Sequence, residues 1–156
     1  PAVPVPDPDE ERLLADNRKA TFDYSIERRL EAGIALLGTE IKSIRARHVS
    51  LQEAFARIDR GEAWLVGAHI APYATGNRYN HEAKRTRKLL LHKKEIRKVL
   101  GRLQEKGLTL VPLKVYFKHN LAKVLLGVAR GKKAYDKRQD IAKRDAERTI
   151  RQRYAR

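Results

Sequence analysis

The sequence predicts a mainly β fold: a small antiparallel barrel with one to three helices and a basic C-terminal tail. Three observations carry that prediction. Between Thr21 and Arg130 apolar residues recur in short alternating runs rich in β-formers, turn residues divide these runs at close spacing, and only one segment shows a clear helical period. No strand–helix–strand alternation is present, which disfavours a parallel sheet and leaves a closed or partly closed OB-like barrel of about six strands. At 156 residues the chain has room for one such core plus tails.

The elements follow in order. Residues 1–16 hold Pro1, Pro4, Pro6 and Pro8, which forbid regular helix, so this stretch reads as a disordered leader with at most a helical turn near Glu10 to Ala15. "TFDYSIER" alternates as a strand, and "GIALLGTEIKSI" after Ala32-Gly33 reads as a second, with Gly38 expected at a bulge or close approach. "EAFARIDRGEAWLVGAHI" turns at Asp59-Arg60-Gly61 into a hairpin whose Trp64, Val66, Ala68 and Ile70 are expected on one face, with room for a short helix near Leu51 to Phe55. "APYATGNRYNHEAKRTR" is a polar loop with four basic residues after Gly76, suited to contact a partner, and "RKLLL" is a short strand. In "HKKEIRKVLGRLQEKG", Ile96, Val99, Leu100 and Leu103 fall at helical spacing and Gly107 stands where the helix should stop. The last two strands, "LTLVPLKVYFK" and "LAKVLLGVAR", meet at His119-Asn120, and Pro112 requires an edge position or a bulge.

A net charge of +16 points to phosphate-rich partners, nucleic acid first and anionic membrane second. The charge divides as −4 over residues 1–16, +14 over the barrel segment 17–130 and +6 over the tail 131–156. No run approaches the roughly 20 apolar residues of a spanning helix, and the acidic, proline-broken start is unlike a secretory or transit peptide, so a cytoplasmic protein is expected. The tail lacks glycine and proline after Gly131 and carries two acidic-first i,i+4 pairs, Asp140 with Arg144 and Glu147 with Arg151, each worth roughly 0.2–0.5 kcal/mol. Its large apolar residues, Tyr135, Ile141, Ile150 and Tyr154, build no stripe, so the tail is expected to be disordered or part-helical alone and to become helical against an anionic partner. A solvated basic extension without a defined role is the competing reading.

Little in the sequence supports catalysis. Its five histidines never approach one another at metal-ligand spacing, cysteine is absent, and no metal or other cofactor is expected. "GVARGKK" has three residues between its glycines where a phosphate-cradling loop needs four. A ribonuclease would need an acid and a base brought together, and spacing gives no sign of that. Glu31 reads either as the partner of nearby Arg28 and Arg29 or as an acceptor for base amino groups, with the ion pair favoured; Leu90, within an apolar run, reads as core.

"NRKATFDYSIE", "EAGIALLGTEIKSIRA", "TRKLLL" and "GKKAYDKRQDIAKR", in this order and spacing, resemble the SsrA-binding protein family, the small protein B partners of transfer-messenger RNA (tmRNA) in bacteria. The resemblance spans Asp16 to Arg144. It implies a non-catalytic adaptor, a monomer, whose barrel binds the tRNA-like domain of tmRNA and enters stalled ribosomes with it in trans-translation. It further implies tmRNA-binding roles for Asn17, Arg18, Lys19 and Glu31, with Asn17 and Glu31 on the barrel surface, and for Leu90, Lys123 and Arg130. Gly131, Lys132, Lys133, Tyr135, Asp136, Lys137 and Arg138 match the tail motif that works at the decoding centre of the small-subunit rRNA, the tail then lying along the empty mRNA channel with Ile150 as an anchor. A structural ribosomal protein, also a basic barrel with a basic extension, is the alternative.

Overall fold

In the computed structural model, residues 12–73, 80–105, 107–132 and 134–154 are described, apart from the side chains of 134–137, 140, 153 and 154. The elements are β1 (Arg12–Asp16), α1 (Arg18–Asp23), β2 (Tyr24–Ile34), α2 (Gly38–Arg45), β3 (Val49–Ser50), β4 (Phe55–Asp59), β5 (Glu62–Val66), β6 (His69–Ile70), β7 (Arg87–Leu90), α3 (Lys93–Leu103), β8 (Leu108–Lys118), β9 (Leu121–Gly131) and α4 (Ala134–Tyr154). Strands run β8-β4-β5-β7-β2-β9, and β9 pairs back onto β8, so six antiparallel strands close a barrel. Strand β1 pairs with β8, and β3 and β6 form a separate small sheet.

Both tight hairpins turn as their residues require. Arg60 and Gly61 have φ of 52° and 75°, and His119 and Asn120 have φ of 51° and 59°, pairs of left-handed residues whose twist suits a two-residue hairpin. Pro112 sits at the bulge, since the β8–β9 register slips between Pro112 and Lys114. That slip lets one strand serve two clusters: Leu110, Val115 and Phe117 enter the main core, while Val111 and Leu113 pack with Ala20 and Ala129 on the other side. From β9, Val124, Leu126 and Val128 fill the barrel as their alternation predicts. Helix α3 buries Ile96 and Val99 and partly buries Leu103, leaving Leu100 exposed.

The structure corrects several sequence readings. The leader boundary at residue 16 lies inside ordered chain, because Arg12–Asp16 is a strand with Leu14 buried; residues 1–11 lie outside the described residues. Strand β2 runs unbroken through Ala32-Gly33. "GTEIKSIR" is helix α2 rather than strand: Ile41 and Ile44 are three apart, as a helix face requires, and Glu40 accepts from the Leu37 N–H at 2.8 Å to close the first turn. Gly38 starts that helix, and a Cβ there would meet nothing within 4 Å, so no close approach explains it. In β5 the buried residues are Ala63 and Leu65, not Trp64 and Val66; the left-handed Gly67 (φ 79°) separates them from the buried Ala68 and Ile70. No helix forms at Leu51 to Phe55, where a turn leads into β4.

Candidate nucleic-acid interface

Strand register brings the three barrel residues Glu31, Leu90 and Lys123 onto one outward patch. Lys123 lies opposite both Tyr116 of β8 and Gly33 of β2, and Gly33 lies opposite Leu90 of β7, giving a row across four strands. Glu31 stands two residues before Gly33, hence on the same face. Leu90 is 51% exposed, whereas its neighbour Leu89 is buried, so the core expected for Leu90 is occupied by Leu89 instead. Gly33 has to be glycine-sized beneath it: an added Cβ would come within 3.1 Å of the Leu90 Cβ.

Glu31 finds its partners two strands along the barrel wall, on β8, rather than in Arg28 and Arg29 of its own strand. The Tyr116 hydroxyl donates to its carboxylate, and Lys118 Nζ lies 3.6 Å away. The Tyr116 bond does most to hold the Glu31 carboxyl below its ordinary 4.5; partial burial opposes it, and the charges of Lys118 and Lys123 add to the lowering. At neutral pH the patch therefore offers a fixed carboxylate acceptor beside two cations and an exposed leucine, a set that can take base N–H groups, phosphates and an apolar base or sugar face together. Tyr116 was not legible as a site residue: it stands between Val115 and Phe117 within a run buried on both sides. Beyond Leu90 a hollow of about 340 Å³, with Lys88, His92, Lys93 and Ile96 in its lining, continues the patch to α3.

Other expected site residues lie elsewhere. Asn17 is not on the barrel surface; it is 5% exposed, its Oδ1 accepts from the Ala20 N–H at 3.2 Å, and its Nδ2 donates to the carbonyls of Pro112 at 2.9 Å and Leu51 at 3.2 Å. The capping residue of α1 has become a buried clasp, and it presents the exposed Arg18 and Lys19 that follow it. Arg130 is seven residues from Lys123 along β9, roughly 23 Å, and its Nε lies 3.6 Å from Glu27, which also holds Arg102 of α3 at 2.8 Å.

At the root of the tail, Lys132 is tied to the end of α1. Its N–H donates to the Asp23 carbonyl at 2.9 Å and its Nζ to the Thr21 carbonyl at 3.3 Å, a cation placed on the negative end of a helix. Helix α4 then passes α1, where the Arg144 guanidinium stands 5.2 Å from the Phe22 ring centre. Gly131 ends β9, and Arg138 and Ile150 are exposed, Ile150 by 53%. Lys133 and the side chains of Tyr135, Asp136 and Lys137 lie outside the described residues.

The most buried charges serve the fold. Glu40, fully buried, accepts from Arg87 Nε and from Arg85 at 2.6 Å, while Arg87 also donates to the carbonyls of Ala68 at 2.9 Å and Ala83 at 3.1 Å. Burial alone would raise the Glu40 carboxyl; Arg85, the Leu37 N–H and Arg87 outweigh it and leave it lowered. Burial in turn lowers Arg87, with Glu40 opposing. His81, also buried, bonds Thr39 and the Ile70 carbonyl, both at 2.9 Å, so the loop expected to touch a partner is anchored on α2 at its far end. Among the described residues no three His, Cys, Asp or Glu gather as metal ligands, and no helix is long and apolar enough to cross a membrane.

The sequence model of the SmpB protein family matches residues 14–156. The chain belongs to the SmpB family. That match continues beyond Arg144, through the tail. Two SmpB relatives are the SsrA-binding proteins of Carboxydothermus hydrogenoformans, 61% identical over 140 residues (90% of this chain, 94% of the relative), and Desulfitobacterium hafniense strain DSM 10664 / DCB-2, 58% identical over 139 residues (89% of each). A solved chain described as "tmRNA-SmpB: a journey to the center of the bacterial ribosome" is similar at 56% identity and TM-score 0.65, covering 76% of this chain and 84% of that one.

Proposed function

We propose that this chain is a non-catalytic RNA-binding adaptor that holds the tRNA-like domain of tmRNA and carries it to stalled ribosomes for trans-translation. Membership of the SmpB family supports the tmRNA partner, and the similar solved chain, described with tmRNA and the bacterial ribosome, supports the second. The single observation that carries the reading is the gathering of Glu31, Leu90 and Lys123 on one outward face by strand register. On this reading residues 12–130 work as the RNA-binding unit in the cytoplasm, as a monomer, with Arg18, Lys19 and Arg130 as flanking phosphate contacts. The tail, residues 131–156, occupies the decoding centre and the vacant mRNA channel, ordering fully only against rRNA walls that supply counter-charge.

Isolation of the protein from cell extract followed by sequencing of the bound RNA tests the partner: tmRNA should dominate, and recovery of rRNA alone would favour a structural ribosomal protein. Glu31→Ala should weaken tmRNA binding by about tenfold, the scale of one lost charged hydrogen bond, while leaving the melting temperature close to that of the parent. A melt that falls while binding holds would make Glu31 a purely structural residue.

A further inference from the structure

Next to the Glu31 patch, beyond Lys88, the outer face of the sheet continues onto β4 and β5 with the composition of a base-stacking platform. On β4 the residues Phe55, Arg57 and Asp59 point outward, and on β5 so do Glu62, Trp64 and Val66. Arg57 lies directly opposite Trp64, Trp64 directly opposite Lys88 of β7, and Phe55 opposite Val66, which makes Phe55 and Trp64 diagonal neighbours on one side of the hairpin. Phe55 is 45% exposed and Trp64 half-buried. The outer face of an antiparallel sheet normally reads as polar, so a ring set between Arg57 and Lys88, with a second ring diagonal to it, calls for a partner.

We propose that this face binds unpaired RNA, with successive bases stacking on Trp64 and Phe55 and the phosphates meeting Arg57, Arg60 and Lys88. A hollow of about 400 Å³ beside Trp64, lined by Arg57, Asp59, Arg60, Glu62 and Thr86, gives a base room at the ring. Its two carboxylates accept base amino groups, a role that phosphates cannot fill, which favours a nucleotide over a bare polyanion. Lys88 is held by Glu62 at 3.1 Å, but both side chains are nearly half exposed, so the pair is weak and the ammonium can turn to a phosphate. The inference concerns single-stranded RNA of any origin and does not depend on which RNA the Glu31 patch takes.

Trp64 is the only tryptophan in the chain, so intrinsic fluorescence reads this site alone. Titration of the full-length protein with a short unstructured oligoadenylate should quench Trp64 saturably, whereas inorganic polyphosphate, a polyanion without bases, should bind without comparable quenching. Phe55→Ala should weaken oligoadenylate binding about tenfold, as expected for the loss of one stacked base, and Trp64→Phe, followed by anisotropy of a labelled oligonucleotide, should bind better than Trp64→Ala. Equal quenching by polyphosphate, or unchanged affinity in both Phe55→Ala and Trp64→Ala, would overturn the proposal and leave the rings as a hairpin-stabilising pair. If Trp64→Ala fails to fold, the quenching contrast and Phe55→Ala still decide.

Discussion

Helices α3 and α4 are both rich in Lys and Arg, yet they stand in opposite relations to the barrel. In α3, Ile96, Val99 and Leu103 are spaced to make one face; Ile96 and Val99 are buried, and Val99 and Leu103 pack on the main core. In α4, Ile141 and Ile150 are nine apart and remain 46% and 53% exposed. Apolar content alone does not dock a helix; its period does. The difference also separates two kinds of positive charge, one on a rigid support and one on an arm fixed only near α1.

Removal of residues 131–156 should separate the two helices' roles most sharply. The remaining barrel should fold and keep tmRNA binding within a few fold, because its core is complete by Ala129 and β9 loses only its last residue, while peptide tagging on stalled ribosomes should disappear. Tagging at the parental rate would reduce α4 to a solvated extension.

Helix α2 is held in a third way, by a buried charge pair as well as by its apolar residues. Glu40→Gln should lower stability by about 3–5 kcal/mol, the cost of leaving Arg87 buried without its counter-charge, measured by urea unfolding at pH 7. The Glu40 carboxyl is lowered in the folded protein, so its contribution is fully present above the unfolded value near 4.5 and is lost as pH falls through the lower folded value. The parent should therefore lose more stability between pH 5 and pH 3 than Glu40→Gln does.

The same substitution in the two basic helices gives a direct contrast. Ile96→Ala should cost about 2–3 kcal/mol, as for a buried aliphatic side chain, and Ile150→Ala should leave unfolding of the barrel unchanged. A comparable loss from Ile150→Ala would mean that α4 is docked after all.

Asn17→Ala should have a smaller effect on stability than Glu40→Gln or Ile96→Ala, about 1–2 kcal/mol for a lost cap and two buried bonds. Any loss of tmRNA binding should then parallel the loosening of α1 that carries Arg18 and Lys19, and Arg18→Ala should weaken binding without the change in melt.

Much of the barrel could be read from sequence where a residue's own preference and its environment agree. The left-handed pairs at Arg60-Gly61 and His119-Asn120, the bulge demanded by Pro112, and the stripe of α3 all follow from local chemistry. What was missed depends on partners distant in sequence. The alternation Ile34, Leu36 imitates a strand leading into α2, and only Arg85 and Arg87, more than forty residues on, make a buried Glu40 acceptable. The resemblance implies a surface Asn17, and nothing local in the sequence reveals the carbonyls of Leu51 and Pro112 that enclose it. Of the candidate patch, the residue types are visible in the sequence, but their assembly depends on the register that sets Gly33 between Lys123 and Leu90.

The fastening of Lys132 to the last turn of α1 gives the molecule a fixed origin for measurement. From that origin a 21-residue helix extends about 31 Å, so the reach of α4 from α1 is set by the number of its residues. One added helical turn would lengthen the arm by about 5.4 Å and rotate nothing at its base. In this structure the arm is a rod of set length held at its base by α1, not a loose tether.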